Sequence, residues 1–121
     1  MKVEFSSHPS VILAYLFGSQ AKGKTSQKSD VDIAVLLQEP VTESLKIKLE
    51  LLQTLQEAGF DNVDLTILNE SGSVLKYQVV KNGRLLFEKQ KGDHKKFQIA
   101  AWKEYFDFQP TLEYFYHRKI A

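Results

Sequence analysis

The sequence predicts an α/β (α+β) domain, a mixed β-sheet covered by helices, and three observations carry that prediction. Apolar runs of strand length, rich in β-branched residues, lie at 11–17, 30–37 and 63–68. Between the second and third, leucines recur at helical spacing over residues 43–58. Strand-like and helix-like segments then alternate, the pattern of a sheet with helices packed on it.

Each element has its own signal. Val11 to Phe17 is continuously apolar and stops at Gly18, which fits a strand buried on both faces. Ser19 to about Gly23 reads as a short helix start, and 24–29 as a polar loop. In the second strand Asp30, Asp32, Ala34 and Leu36 share one face, and Val31, Ile33, Val35 and Leu37 share an all-apolar core face. Glu39-Pro40 ends that strand, because proline cannot donate to a ladder. Leu45, Leu49, Leu52 and Leu55 mark the helix at 43–58, with Thr42 as its expected N-cap and Gly59 as its stop. Val63, Leu65 and Ile67 alternate with Asp64 and Thr66 in the third strand.

Residues 71–88 allow two readings. Asn82-Gly83 can be a hairpin turn, or the stop of a helix over about 71–81 capped by Ser71. The spacing of Val74, Leu75 and Val79 favours the helix, followed by a strand from Arg84 to Glu88. Asp93 then caps a helix over about 94–107, which Pro110 is expected to break, with further helical turns at 111–119. More than half of the chain's aromatic residues lie between Phe97 and Tyr116, more than a small sheet needs for cover, so part of this surface is expected to meet a partner.

Composition bounds the function. At 121 residues the chain is expected to be one domain over 1–121, with about 93–121 as a helical, aromatic-rich segment. The formal net charge of +1 implies no general affinity for nucleic acid, and Lys89, Lys91, Lys95 and Lys96 read as a solvated face. Without cysteine there is no disulfide, zinc thiolate or thiol nucleophile. No apolar run approaches the roughly 20 residues of a membrane span, and no signal-peptide core is present at the N-terminus. A cytoplasmic location is expected. His8, His94 and His117 have no ligand spacing and read as surface residues.

The candidate chemistry lies in Gly18-Ser19 and Asp30-Val31-Asp32. Glycine permits a phosphate to approach the backbone closely, and serine can cap a helix whose N–H groups face an anion. If the second and third strands are neighbours, Asp30, Asp32 and Asp64 can converge at one sheet edge. Three close carboxylates repel one another unless a cation lies between them. Mg²⁺ suits such a site because it takes oxygen ligands and keeps substrate phosphates. Two such ions can clamp an in-line phosphoryl displacement, and the third carboxylate can help deprotonate a hydroxyl.

Gly18-Ser19, ten intervening residues and Asp30-Val31-Asp32 resemble the signature of the DNA polymerase β-like nucleotidyltransferase superfamily. The context L-F-G-S-Q-A-K-G … S-D-V-D-I-A-V-L resembles its minimal nucleotidyltransferase (MNT) branch, and V-D-L-T-I-L-N carries Asp64 where that superfamily has its third carboxylate. The tail, N-G-R-L-L-F-E and then K-E-Y-F-D-F-Q-P, is similar to MNT antitoxins that act beside HEPN-domain toxins. The resemblance implies the polymerase β-like fold, Asp30, Asp32 and Asp64 as catalytic metal ligands, and Gly18 and Ser19 as triphosphate contacts. It also implies Mg²⁺, as two ions, and ATP as donor. The implied activity is transfer of AMP to a tyrosine hydroxyl of a cognate HEPN ribonuclease toxin, in a hetero-oligomer with that toxin. Where family members often carry arginines near the Gly-Ser pair, this chain has Gln20 and Lys22; lysine keeps the charge and lacks the bidentate fork. Two alternatives are a non-catalytic antitoxin that acts by covering its partner, and a small-molecule nucleotidyltransferase working with a separate substrate-binding subunit.

Overall fold

In the computed structural model four strands among the described residues form one sheet in the order β3-β2-β1-β4. The structure describes residues 2–18 and 31–120, with side chains described as far as residue 107. The strands are β1 (Val11–Phe17), β2 (Val31–Leu37), β3 (Val63–Ile67) and β4 (Arg84–Glu88). β1 runs antiparallel to β2 and β4, whereas β2 and β3 are parallel. The sheet is therefore mixed, as expected. Parallel neighbours need a crossover, and α2 (Ser44–Glu57) supplies it between β2 and β3.

Both faces of the sheet are covered. α1 (Lys2–Ser6) contributes Phe5, and α2 contributes Leu51 and Leu55, to a cluster with Val11, Ala14, Ile33, Val35, Leu65 and Phe87. The opposite face packs Leu13, Tyr15 and Ala34 against Leu68 and Val79, with Leu75 and Phe97 at its margin. Those last side chains come from α3 (Ser73–Asn82) and α4 (Asp93–Ile120).

Several local expectations need correction. In α2 the buried stripe is Ile47, Leu51 and Leu55 with Leu52, and Leu45 and Leu49 face outward. The isoleucine completes an i, i+4 series that the leucines alone misplace by part of a turn. Thr42 is not the N-cap: Glu43 occupies that position, and its side chain makes no capping bond. Gly59 does end α2. At φ +99° it lets its own N–H reach Gln56 O and that of Phe60 reach Leu55 O, a Schellman closure.

α3 begins after Gly72 rather than after Ser71, whose hydroxyl bonds to Ile67 O at 2.9 Å and closes a short 3₁₀ turn at Leu68–Glu70. Asn82-Gly83 ends this helix without a left-handed residue, since Gly83 has φ −77°. Its glycine answers crowding instead: a Cβ would lie 2.5 Å from Val79 O and 3.3 Å from Leu16 O.

Glu88 bonds the start of α4, where Asp93 was expected to act. Glu88 Oε1 accepts the N–H groups of Gly92 and His94, at 2.9 and 3.1 Å, while Asp93 accepts from Gln90. α4 also continues through Pro110 to Ile120. Proline forfeits a hydrogen bond and crowds the preceding turn, but its locked φ is helical, so flanking helix can carry through it.

Candidate active site

Strand direction, more than sequence proximity, brings the candidate residues together. β1 ends at Phe17 opposite Asp32, near the start of antiparallel β2. β3 begins at the same end because it runs parallel to β2, with Val31 opposite Val63 and Asp32 opposite Asp64. The N–H of Val31 donates to Asn62 O at 2.7 Å and ties the two strand starts. Gly18, Asp32 and Asp64 thus gather at one end of the sheet.

In-register residues on neighbouring strands point to the same face, with backbones about 5 Å apart. Asp32 and Asp64 share the face of Ala34 and Leu36, the one packed against α3 and α4. Asp32 is half-buried and Asp64 exposed. That places one carboxylate against protein and the other at the solvent edge of the same site.

Gly18 is fixed by two constraints. Its φ of +76° lies in the left-handed region, and a Cβ there would come within 2.5 Å of Asp32 Oδ2. The glycine therefore lets the chain turn sharply while the Asp32 carboxylate presses against its backbone. Ser19 and Asp30 were also expected in the site; both lie outside the described residues, as do Gln20 and Lys22. Among the described residues no three His, Cys, Asp or Glu side chains form a metal-holding group.

Beside Gly18 opens a cleft of about 150 Å³, lined by Phe17, Leu75, Gln78 and Asn82 in addition to the glycine. Sequence reasoning did not connect these residues, since Asn82 read as a stop signal and Gln78 carried no signal of its own.

A second group was also missed. The hydroxyl of buried Tyr15 lies 2.7 Å from His94 Nδ1, although the two are 79 residues apart. Burial, with the nearby Glu88 charge, holds the Tyr15 phenol well above its usual range. His94 is thus half-buried and partnered, not a free surface residue. No local spacing could reveal that link; His8 likewise bonds Glu50, at 2.9 Å.

The sheet order, the glycine turn and the paired aspartates define a nucleotidyltransferase domain. The family model described as "Polymerase beta, Nucleotidyltransferase" matches residues 1–92, and the chain belongs to that family. Among individual proteins it is similar to the protein adenylyltransferase MntA of Shewanella oneidensis, with 39% identity over 85 residues. That stretch is 70% of this chain and 60% of the relative, so the chain spans less than two thirds of the curated relative's length. Among solved structures, a chain from a toxin–antitoxin complex with AMP-PNP is 31% identical, with a TM-score of 0.74, covering 94% of this chain and 90% of that one. A chain from the complex of tri-AMPylated S. oneidensis HEPN toxin with MNT antitoxin is 26% identical, with a TM-score of 0.68 and full coverage of both chains. The expected polymerase β-like fold and MNT membership are both borne out. No helix among the described residues is long and apolar enough to cross a membrane.

Proposed function

We propose that this chain transfers AMP from ATP to a tyrosine hydroxyl of a cognate HEPN ribonuclease toxin in the cytoplasm, and so neutralises it. The observation that carries this reading is the in-register pair Asp32 and Asp64 with Gly18 closed against Asp32. The likeness to a protein adenylyltransferase, and to chains solved with AMP-PNP and with AMPylated HEPN toxin, supports the same reaction.

In the proposed reaction the tyrosine oxygen attacks the α-phosphorus of ATP. A new phosphorus–oxygen bond forms, the bond from the α-phosphorus to the bridging oxygen breaks, and pyrophosphate leaves. Gly18 gives the phosphates room against the backbone, and Ser19 next to it offers a hydroxyl. Asp64, at the exposed edge, accepts the tyrosine proton. Asp32 and Asp64 fit Mg²⁺ as hard oxygen donors on one face of neighbouring strands, with Asp30 as the proposed third ligand. Bound there, Mg²⁺ would neutralise phosphate charge and orient the donor.

The partner surface is assigned to α4, where Ile99, Trp102 and Phe106 stand exposed along one helical edge. This apolar edge also favours a second reading, an antitoxin that acts by covering its partner. Incubation with the toxin, Mg²⁺ and α-labelled ATP separates the two. Label on the toxin, with loss of its RNA cleavage, is expected; neutralisation without label would leave only the steric reading.

A further inference from the structure

The cleft beside Gly18 has the features of a nucleobase subsite. It opens where the backbone touches Asp32, so it adjoins the position proposed for the phosphates. One wall is Phe17 at the end of β1, and the other is the Leu75, Gln78 and Asn82 stripe of α3. Those three lie at i, i+3 and i+7, hence on one side of the helix. Phe17 and Leu75 give apolar surface for a flat ring. Gln78 and Asn82 are exposed, and neither side chain is hydrogen-bonded to another described residue.

We infer that this cleft binds the base of the donor nucleotide and that Gln78 and Asn82 select adenine. A side-chain amide sets a donor beside an acceptor, the complement of an adenine edge, where an amino group adjoins a ring nitrogen. The Watson–Crick edge of guanine offers adjacent N–H donors that a carboxylate would match, and no charged side chain lines the cleft among the described residues. The inference rests on the nucleotidyltransferase reading, which assigns the neighbouring carboxylates to the phosphates.

The test compares wild type with Gln78→Leu, Asn82→Leu and Gln78→Glu. Binding of ATP and GTP is measured by competition in the absence of toxin, and AMP and GMP transfer is measured with it. Wild type is expected to prefer ATP, each leucine variant to lower that preference about 10-fold, and Gln78→Glu to shift it towards GTP. Thermal melts confirm that each variant is folded. An ATP:GTP ratio unchanged in all three variants, with transfer intact, overturns the base subsite and leaves the transferase reading standing. Selective ATP binding that the variants abolish, with no transfer by wild type, keeps the subsite and overturns the transferase reading. Failure of wild type to bind either nucleotide overturns both.

Discussion

The two faces of the sheet solve different problems. Beneath α1 and α2 the buried set is apolar throughout, from Phe5 and Val11 to Leu55 and Ile67. Beneath α3 and α4 the apolar set ends early. Ala34 is buried, but Asp32, two residues before it on the same face, is only half covered, and Asp64 beside it is exposed. The same face carries the Tyr15–His94 contact and opens into the cleft at Gly18. One face is shaped by packing and the other gives up cover at one end to hold polar groups. Stability and activity should therefore be separable by face.

The largest contrast is expected between Asp32→Asn and Leu55→Ala. Asp32→Asn should lower AMP transfer at least ~10³-fold, because it removes the charge proposed to meet the phosphates and their metal, while the melting temperature holds. Leu55→Ala should cost about 3 kcal/mol of stability through lost burial and a residual cavity, with transfer by the folded fraction near wild type. Paired denaturation and single-turnover assays read both. Equal losses of stability for the two variants would erase the distinction between the faces.

Gly18→Ala tests the boundary between them. The added methyl meets both an unfavourable φ and the Asp32 carboxylate, so a stability loss of about 1–2 kcal/mol is expected. Displacing Asp32 should slow transfer on the order of 10²-fold. An alanine variant that melts and reacts like wild type would show that the close approach does not matter.

The smallest effect concerns the start of α4. Glu88 has its carboxyl lowered from the usual 4.5, chiefly by the His94 N–H and, against some desolvation, by that of Gly92. A depressed carboxylate stabilises the fold above its unfolded value, and this contribution disappears as pH falls through the folded one. The gap in melting temperature between wild type and Glu88→Ala should be full at pH 7 and should close below about pH 4. A gap that persists in acid would place the effect in packing rather than charge.

Much of this division was legible in the chain. Alternation placed Asp32 and Asp64 on strands with apolar neighbours, and helical spacing placed α2 and favoured α3, while turn and cap signals placed β4 and the start of α4. The end of β1 and the starts of β2 and β3 meet because of strand direction, which a linear pattern does not state. Several expectations that failed concern local choices between competing partners: Glu43 over Thr42 at the start of α2, Glu88 over Asp93 at the start of α4, and Ile47 rather than Leu45 on the buried stripe. The break expected at Pro110 failed because the flanking helix carries through it. The cleft and the Tyr15–His94 contact join distant segments, so no spacing rule could find them.

The central claim is that the paired carboxylates act on a partner's hydroxyl rather than merely shaping a docking surface. Intact-mass measurement of the cognate toxin, after coexpression with wild type or with Asp32→Asn, tests it most directly. The toxin should gain mass in steps of one AMP beside wild type and none beside Asp32→Asn, with its ribonuclease silenced only in the first case. An unmodified toxin that both proteins silence equally would contradict the claim.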